Sequence, residues 1–294
     1  MSTLAVSSAG LPAQRSRGYW ASVGQRFLRD PVAVGAAIAV LLLLGLALFG
    51  PWLSPADPYQ SSMLKRLKPI GTPGLPLGSD ELGRDLLSRL IVGARLSLFM
   101  GIAPVLCAFL FGAAIGIVAG YAGGLANTLI MRTVDVFYAF PSVLLAIALS
   151  GTLGAGIFNS LVSLTIVFIP QIARVAESVT TQVRERDYVE AARASGAGSF
   201  TIVRVHVLGN VLGPIFVYAT SLIAVSMILA SGLSFLGLGV KPPEPEWGLM
   251  LNTLRTAIYV QPWVAALPGA MIFITSITFN LLSDGLRSAM DHKG

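Results

Sequence analysis

Two long uncharged runs constrain this chain more than any other feature of its sequence. Residues 32–53 contain no charged side chain, and residues 96–131 are likewise uncharged. The first run has the length needed to cross a hydrocarbon layer about 30 Å thick, whereas the second is too long for one simple crossing. Because 54% of all residues are hydrophobic and only 12% are charged, a soluble core could not hold this apolar surface. The sequence therefore predicts an all-α membrane protein that crosses the bilayer several times.

Turn signals divide the remaining apolar sequence into further crossings and give six in total. Gly-rich turns at 121–124 and 150–156 separate a second, a third and a fourth crossing. A fifth is predicted at 211–236 and a sixth at 263–282. Because four arginines precede the first run and none lies within it, the N-terminus is expected in the cytoplasm. The predicted order is a cytoplasmic N-terminal tail (1–30), a first transmembrane helix (31–53), an external loop with an amphipathic helix (54–95), a five-helix core (96–287) and a cytoplasmic C-terminal tail (288–294).

A charged segment at 174–210 interrupts the apolar sequence between the fourth and fifth crossings and is predicted to be a cytoplasmic loop. Two short helices fit this segment. Gly196 is free to adopt the conformation that ends the first helix, and Ser199 can cap a second one over 200–208. A compact helix–glycine–helix hairpin of this kind favours docking to a partner protein.

Motifs for catalysis and for cofactor binding are absent from the sequence. It contains no G-x-x-x-x-G-K-[ST] phosphate loop, no H-E-x-x-H and no G-x-S-x-G. The single cysteine, Cys107, allows no disulfide within the chain and no cysteine metal site. The net charge of +6 comes from residues between the apolar runs, without interleaved aromatic residues, which argues against nucleic-acid binding. We therefore expect a protein that is not an enzyme and that binds no cofactor, metal or nucleic acid.

Arg132 and Asp135 are the two charges that fall within a predicted crossing, the third. They lie three residues apart on one helix face near its cytoplasmic end, which favours a structural pair over a contact with solute. Midplane acids or bases that could relay protons are missing, so a proton-driven carrier is poorly supported. A transport subunit that takes its energy from another protein fits the sequence better, with an autonomous secondary carrier or channel as the alternative.

Five stretches resemble the binding-protein-dependent ABC importer permeases, and four of them resemble the dipeptide/oligopeptide/nickel branch. The segment Tyr188-Val189-Glu190-Ala191-Ala192, followed by Gly196, resembles the coupling motif of the family. The other stretches begin with Asp30-Pro31 and continue at 77–90, 233–248 and 284–287. The resemblance extends over nearly the whole chain after residue 25, and within the family it is to the second, C-type permease subunit.

Two glycines depart from the pattern of the family. Gly209 follows Leu208 where the coupling loop usually ends in Leu-Pro, and Gly213 stands where proline is common beside Pro214. Because glycine lacks the fixed φ of proline, the exit into the fifth crossing is expected to be looser.

The resemblance implies a type I importer permease fold with six transmembrane helices and a cytoplasmic coupling-helix loop in the bacterial inner membrane. The implied partners are a homologous second permease, two cytoplasmic ATPases that use ATP and Mg, and an external solute-binding protein. The implied solute is a di- or oligopeptide, with nickel, opine or glutathione-like solutes as the alternative. The residues that the resemblance assigns to the ATPase-coupling loop are Tyr188, Glu190, Ala191, Ala192, Arg193, Gly196 and Phe200.

Two external segments allow more than one interpretation. Arg84 and Asp85 lie in the predicted amphipathic helix over 80–93, where leucines recur at i, i+4 and i+8, and they are expected to act as a gate or docking point or to form a solvated face. The segment 241–247 is stiffened by three prolines. Its residues Pro243, Glu246 and Trp247 either dock the external binding protein or form a rigid hairpin with an interfacial tryptophan.

Overall fold

The computed structural model describes residues 19–290, and this part of the chain folds almost entirely into α-helices. No β-strand occurs between these residues, apart from two isolated bridges in the loop before residue 86. Most of the predicted N-terminal tail (1–18) and the last four residues of the predicted C-terminal tail (291–294) lie outside the described range. The helices are α1 (Tyr19–Arg29), α2 (Pro31–Leu53), α3 (Leu86–Ala122), α4 (Gly124–Tyr138), α5 (Ser142–Leu153), α6 (Ile157–Arg184), α7 (Asp187–Ala194), α8 (Ser199–Ile202), α9 (Leu208–Phe235), α10 (Trp247–Thr253) and α11 (Pro262–Met290).

Within residues 19–290, five helices are long and apolar enough to cross a membrane, namely α2, α3, α6, the continuous helix Ser199–Phe235 and α11. A sixth crossing results if α4 and α5 count as one broken span. The first span begins where the sequence indicates, because the Asp30 carboxylate accepts the Val32 amide at 2.9 Å and Pro31 occupies the first helical position. The predicted all-α, polytopic architecture is confirmed.

Helix α3 corrects the predicted external loop. The sequence predicted a separate amphipathic helix over 80–93, but the chain makes turns up to Asp85, whose carboxylate accepts the Ser88 amide at 2.9 Å and caps α3. From Leu86 the helix continues without a break through the second crossing. Leu86 and Leu90 are buried in the core, because α10 and the loop after α2 both pack on this part of α3.

The third crossing is broken at Pro141, which disfavours helical backbone at the residue before it. Helices α4 and α5 meet there at 84°. Two contacts show that α4 runs obliquely across α6: the Asn127 side-chain amide donates to Glu177 at 2.6 Å, and Arg174 donates to Asp135. Eight residues along α4 therefore correspond to three along α6. The broken third crossing therefore consists of α4, which is oblique and largely exposed, followed by the shorter helix α5.

The predicted loop over 174–210 is shorter in the structure. Helix α6 continues to Arg184, and the short helix expected over 200–208 is the beginning of the continuous helix Ser199–Phe235. A π-helical segment, Val203–Val207, lies within that helix. Gly198, rather than Ser199, occupies the N-cap position. Only residues 185–198 remain outside the two long helices, and they contain α7. We call this end of the bundle the α7 end and the opposite one the α10 end.

Helices α3 and α6 form the most extensive helix pair of the described chain. Gly112, Gly116 and Gly120 recur every fourth residue on the face of α3 that meets α6. A β-carbon at Gly116 would lie 2.2 Å from the carbonyl oxygen of Ala173 and 2.6 Å from the β-carbon of Ala176. Small residues thus let the two backbones approach closely, as is typical of helix pairs in membranes.

Candidate functional site

Helix α7 is a short helix with a well-defined C-terminal cap. The Gly196 amide donates to the Arg193 carbonyl at 3.0 Å, and the Ala197 amide donates to the Ala192 carbonyl at 3.1 Å. These two bonds form a Schellman motif, and Gly196 has the positive φ of 81° that the motif requires. These bonds confirm the prediction that Gly196 ends this helix. A residue with a β-carbon would be strained at this φ.

One side of α7 is anchored in the bundle and the other is open. Val189 is completely buried, and Ala192 is half-buried against the core. Two aromatic side chains are open to the surroundings, with Tyr188 43% exposed and Phe200 79% exposed. The other residues predicted for the coupling loop are also exposed, namely Glu190, Ala191, Arg193 and Gly196. Exposed aromatic residues beside an anchored backbone are typical of a protein-interaction surface.

A polar cavity of ≈ 520 Å³ lies between α7 and the ends of α3 and α6. Side chains of both charges line it, including Arg184, Glu185, Glu190 and Arg193. Glu190 lies in the first turn of α7 and Arg193 in the last, an arrangement that suits the helix dipole. The Tyr188 ring also lies 6.2 Å from the ring of His206, centroid to centroid, and connects α7 to the π-helical segment. Helix α7 therefore contacts the long helix that follows it.

The α10 end contains a buried charged cluster. The Asp80 carboxylate contacts the Nε atoms of Arg84 at 2.6 Å and of Arg89 at 3.4 Å, and none of the three residues is more than 6% exposed. Arg89 also donates to the carbonyl oxygens of Pro58 at 2.9 Å and Pro243 at 3.4 Å. Buried charges are tolerated when they are paired and hydrogen-bonded in this way. The cluster therefore joins the loop after α2, the start of α3 and the proline-rich segment.

Glu246 and Trp247 are part of the core at the same end. The Glu246 carboxylate caps α10 by accepting the amides of Gly248 and Leu249, both at 2.8 Å. Burial raises the pKa of Glu246, while the two amides act in the opposite direction by stabilising the carboxylate. The Trp247 amide donates to the Ser97 hydroxyl of α3 at 2.9 Å. Since Trp247 has no exposed surface, it fills a place in the core.

These contacts correct the predictions for the external segments. Arg84 and Asp85 form neither a solvated face nor an accessible docking point, because both are only 6% exposed and hold the turn before α3. Glu246 is 1% exposed and Trp247 has no exposed surface. In this conformation neither side chain can therefore dock an external protein, and the tryptophan is not interfacial. Of this group, Pro243 alone is exposed.

The predicted pair between Arg132 and Asp135 is present, but a closer partner exists. Arg132 lies 3.8 Å from the Asp135 carboxylate with 79% of its side chain exposed. Arg174 of α6 donates directly to the other carboxylate oxygen and also lies over the Tyr138 ring, 5.2 Å from its centroid. Asp135 therefore joins α4 to α6 across the broken crossing.

Comparison with known families agrees with this architecture. Residues 112–293 match the model for the binding-protein-dependent transport system inner membrane component. The chain belongs to this family. Residues 18–69 of this family member also match the N-terminal transmembrane domain of oligopeptide transport permease C.

Curated relatives are similar to this family member over almost its whole length. It is 42% identical to the glutathione transport system permease protein GsiD of Pectobacterium atrosepticum over 97% of this chain and 96% of the relative. It is also 42% identical to the di/tripeptide transport system permease protein DppC of Pseudomonas aeruginosa, over 92% of this chain and 90% of the relative.

Solved structures support the fold. This member of the family aligns with a chain of the MetNI methionine ABC transporter, in inward-facing conformations, with a TM-score of 0.57. The alignment covers 70% of this chain and 98% of that chain at 20% identity. At this identity the similarity concerns the fold alone.

Three contact residues of this family member were not predicted from its sequence. Asp80 and Arg89 complete the charged cluster, and Arg174 completes the pairing of Asp135. The spacing of Asp80 and Arg84, four residues apart, is a detectable signal for the first pair. Between residues 19 and 290 no cluster of His, Cys, Asp and Glu side chains could hold a metal ion.

Proposed function

We propose that this chain is the translocation subunit of an ATP-driven, binding-protein-dependent importer of short peptides. Relatives with 42% identity are named for di/tripeptide and for glutathione transport, and glutathione is itself a tripeptide. The chain performs no reaction and binds no cofactor, since ATP and Mg are used by partner subunits. An importer of glutathione-like solutes remains the alternative within this proposal.

The proposed complex contains this chain, a homologous second permease, two cytoplasmic ATPases and an external solute-binding protein. The observation that carries the proposal is the exposed surface of α7, where Tyr188 and Phe200 lie open on either side of the Gly196 turn. In the proposed mechanism an ATPase holds this surface, and its movement is passed through the π-helical segment to the spans. The helical bundle then alternates between inward-open and outward-open forms, whose relative populations depend on differential contacts with the partners.

The docking test replaces Glu190, an exposed residue of α7, and Gly196, an exposed residue of the turn after α7. We expect Glu190→Arg to lower both the uptake of a labelled dipeptide and the amount of ATPase that purifies with the membrane complex, because it reverses a charge in the contact. Gly196→Arg is expected to lower uptake and ATPase recovery too, because a β-carbon at this positive φ strains the turn. Gly196→Asn should retain more uptake, since asparagine tolerates positive φ. Lys241→Glu, an exposed charge reversal at the α10 end, is the control for ATPase recovery, which it should leave unchanged. Unchanged uptake and unchanged ATPase recovery in Glu190→Arg and Gly196→Arg would refute the docking site.

A further inference from the structure

A furrow runs along the surface between α9 and α11. Two cavities form it: one of ≈ 610 Å³ towards the α10 end and one of ≈ 510 Å³ towards the α7 end. Both are lined by Ser221 of α9, so they are consecutive parts of one depression. On α11 the lining extends from Gly269 in the first cavity to Met290 in the second. These positions are 21 residues apart and span about 32 Å at 1.5 Å per residue. The furrow is thus about as long as the hydrocarbon layer is thick.

The polarity of the furrow changes along its length. Towards the α10 end its wall contains large apolar side chains such as Phe235 and Phe273. Towards the α7 end its wall contains Tyr218, Asp284 and Arg287. Asp284 and Arg287 follow the predicted sixth crossing (263–282), so the charged end of the furrow opens at the membrane surface, where water enters it.

Three polar side chains of α11 lack partners within the described chain. Asn280, Asp284 and Arg287 lie at i, i+4 and i+7, on one helix face that borders the furrow. All three are exposed, and none forms a hydrogen bond or ion pair with a residue between 19 and 290. An amide such as that of Asn280 is costly to leave against hydrocarbon without a hydrogen-bonding partner. Water and a polar solute would supply that partner.

We propose that the α9–α11 furrow is this chain's part of the solute path, and that Asn280, Asp284 and Arg287 contact a zwitterionic peptide near the α7 end. This inference rests on the proposed transport function. Asp284 attracts the ammonium group of the peptide and Arg287 its carboxylate. Side chains three residues apart on a helix are about 5–6 Å apart at their β-carbons. The charged ends of an extended dipeptide are separated by about 7 Å, a distance that these two flexible side chains can match.

Water access to the furrow can be measured with single cysteines, because Cys107 is the one native cysteine. In a Cys107→Ser background, Asn280→Cys places a thiol in the furrow, and Leu281→Cys places one at the same depth on an exposed surface outside it. A charged, membrane-impermeant thiosulfonate reagent is applied to inside-out and right-side-out vesicles that contain the assembled importer. Only a hydrated thiol ionises readily and reacts. We expect Asn280→Cys to react at least about tenfold faster than Leu281→Cys, since the thiolate fraction rises with hydration.

Charge variants test the contact with the peptide. Asp284→Asn and Arg287→Gln should each lower dipeptide uptake by about tenfold, as for loss of one charge-assisted hydrogen bond, without changing ATPase recovery. Asp284→Glu and Arg287→Lys should restore most of the uptake, because they keep the charge.

The outcomes separate this inference from the proposed function. If uptake is unchanged when the whole chain is deleted, the proposed transport function is wrong. If uptake requires the chain but Asn280→Cys and Leu281→Cys react equally slowly, a lipid or a partner helix fills the furrow and the path assignment is overturned. If Asn280→Cys reacts quickly but both neutral variants transport normally, the assignment of Asp284 and Arg287 to the peptide is overturned.

Discussion

At the scale of single residues, Glu246 shows how a buried carboxylate is made compatible with a membrane protein. Both of its oxygens accept backbone amides at the start of α10, and the Ser97 hydroxyl lies 3.3 Å from one of them. Burial nevertheless raises its pKa, so desolvation outweighs these favourable contacts. A carboxylate whose pKa is higher in the folded state than in the unfolded state loses stabilisation as pH rises above its ordinary value of about 4.3.

Replacing Glu246 should separate the capping contribution from the cost of the charge. We expect Glu246→Ala to lower the free energy of unfolding by about 1–3 kcal/mol, because it leaves two buried amides without an acceptor. Glu246→Gln should lower the free energy of unfolding by less than Glu246→Ala does. As the pH rises through the raised pKa of Glu246, the melting temperature of Glu246→Gln should rise relative to that of the unsubstituted protein. The measurement is thermal unfolding in detergent at several pH values. A pH-independent difference between Glu246→Gln and the unsubstituted protein would contradict the raised pKa.

The burial of Glu246 and Trp247 could not be predicted from their local sequence. Three prolines precede them, and such a segment is typical of a stiff surface loop. Their partner Ser97 lies 149 and 150 positions away, so no local pattern indicates the contact. Gly196 is the opposite case, because its role depends on backbone conformation within a few residues, and the sequence predicted it correctly.

At the scale of helices, the close packing of α3 against α6 depends on the absence of β-carbons. We expect Gly116→Ala to lower the free energy of unfolding by about 1–3 kcal/mol, because its methyl group would overlap the Ala173 carbonyl. Gly45→Ala in α2 is the matched control, since nothing lies within 4 Å of the added carbon. Both variants are compared by thermal unfolding in detergent. Equal melting temperatures would show that α3 and α6 can separate without cost.

The π-helical segment Val203–Val207 is the expected flexible point of the long helix. The sequence predicts a looser exit into the fifth crossing at Gly209 and Gly213, but both glycines lie within α9, so we expect the opening one turn earlier. The wider turn of a π-helix has poorer hydrogen-bond geometry and is frequent at functional sites. Hydrogen exchange with mass spectrometry should show faster exchange in peptides covering 203–207 than in those covering 211–217. Equal protection of the two regions would place the flexible point elsewhere.

Helix boundaries divide into predictable and unpredictable ones for physical reasons. The start of α2 follows from Asp30 and Pro31, which act on the adjacent backbone. The break at Pro141 is a local signal that the prediction of one continuous third crossing did not use. The start of α3 within the predicted helix over 80–93 is covered by α10 and by the loop after α2, which is a property of the tertiary structure.

At the scale of the whole molecule, the excess of arginine near the α7 end predicts which way the chain faces. We expect the α7 end to be cytoplasmic and the α10 end external, following the distribution of positive charge. In a Cys107→Ser background, Ser195→Cys and Lys241→Cys place exposed thiols at the two ends. An impermeant maleimide added to intact cells with a permeabilised outer membrane should label Lys241→Cys and not Ser195→Cys. In sealed inside-out vesicles the same reagent should label Ser195→Cys and not Lys241→Cys. Labelling of Ser195→Cys but not of Lys241→Cys in intact cells would show that the topology is inverted.

The contact between Trp247 and Ser97 also sets a time order for the synthesis of the chain. The two residues are 150 positions apart, so at about 5–20 residues per second the ribosome needs on the order of 10 s to deliver the second after the first. During this interval the face of α3 around Gly93, which later receives Pro245 and Trp247, has no partner from its own chain. A nascent chain stopped before α10 therefore exposes this face of α3 to membrane quality control. Once translation is complete, Pro245 and Trp247 cover it.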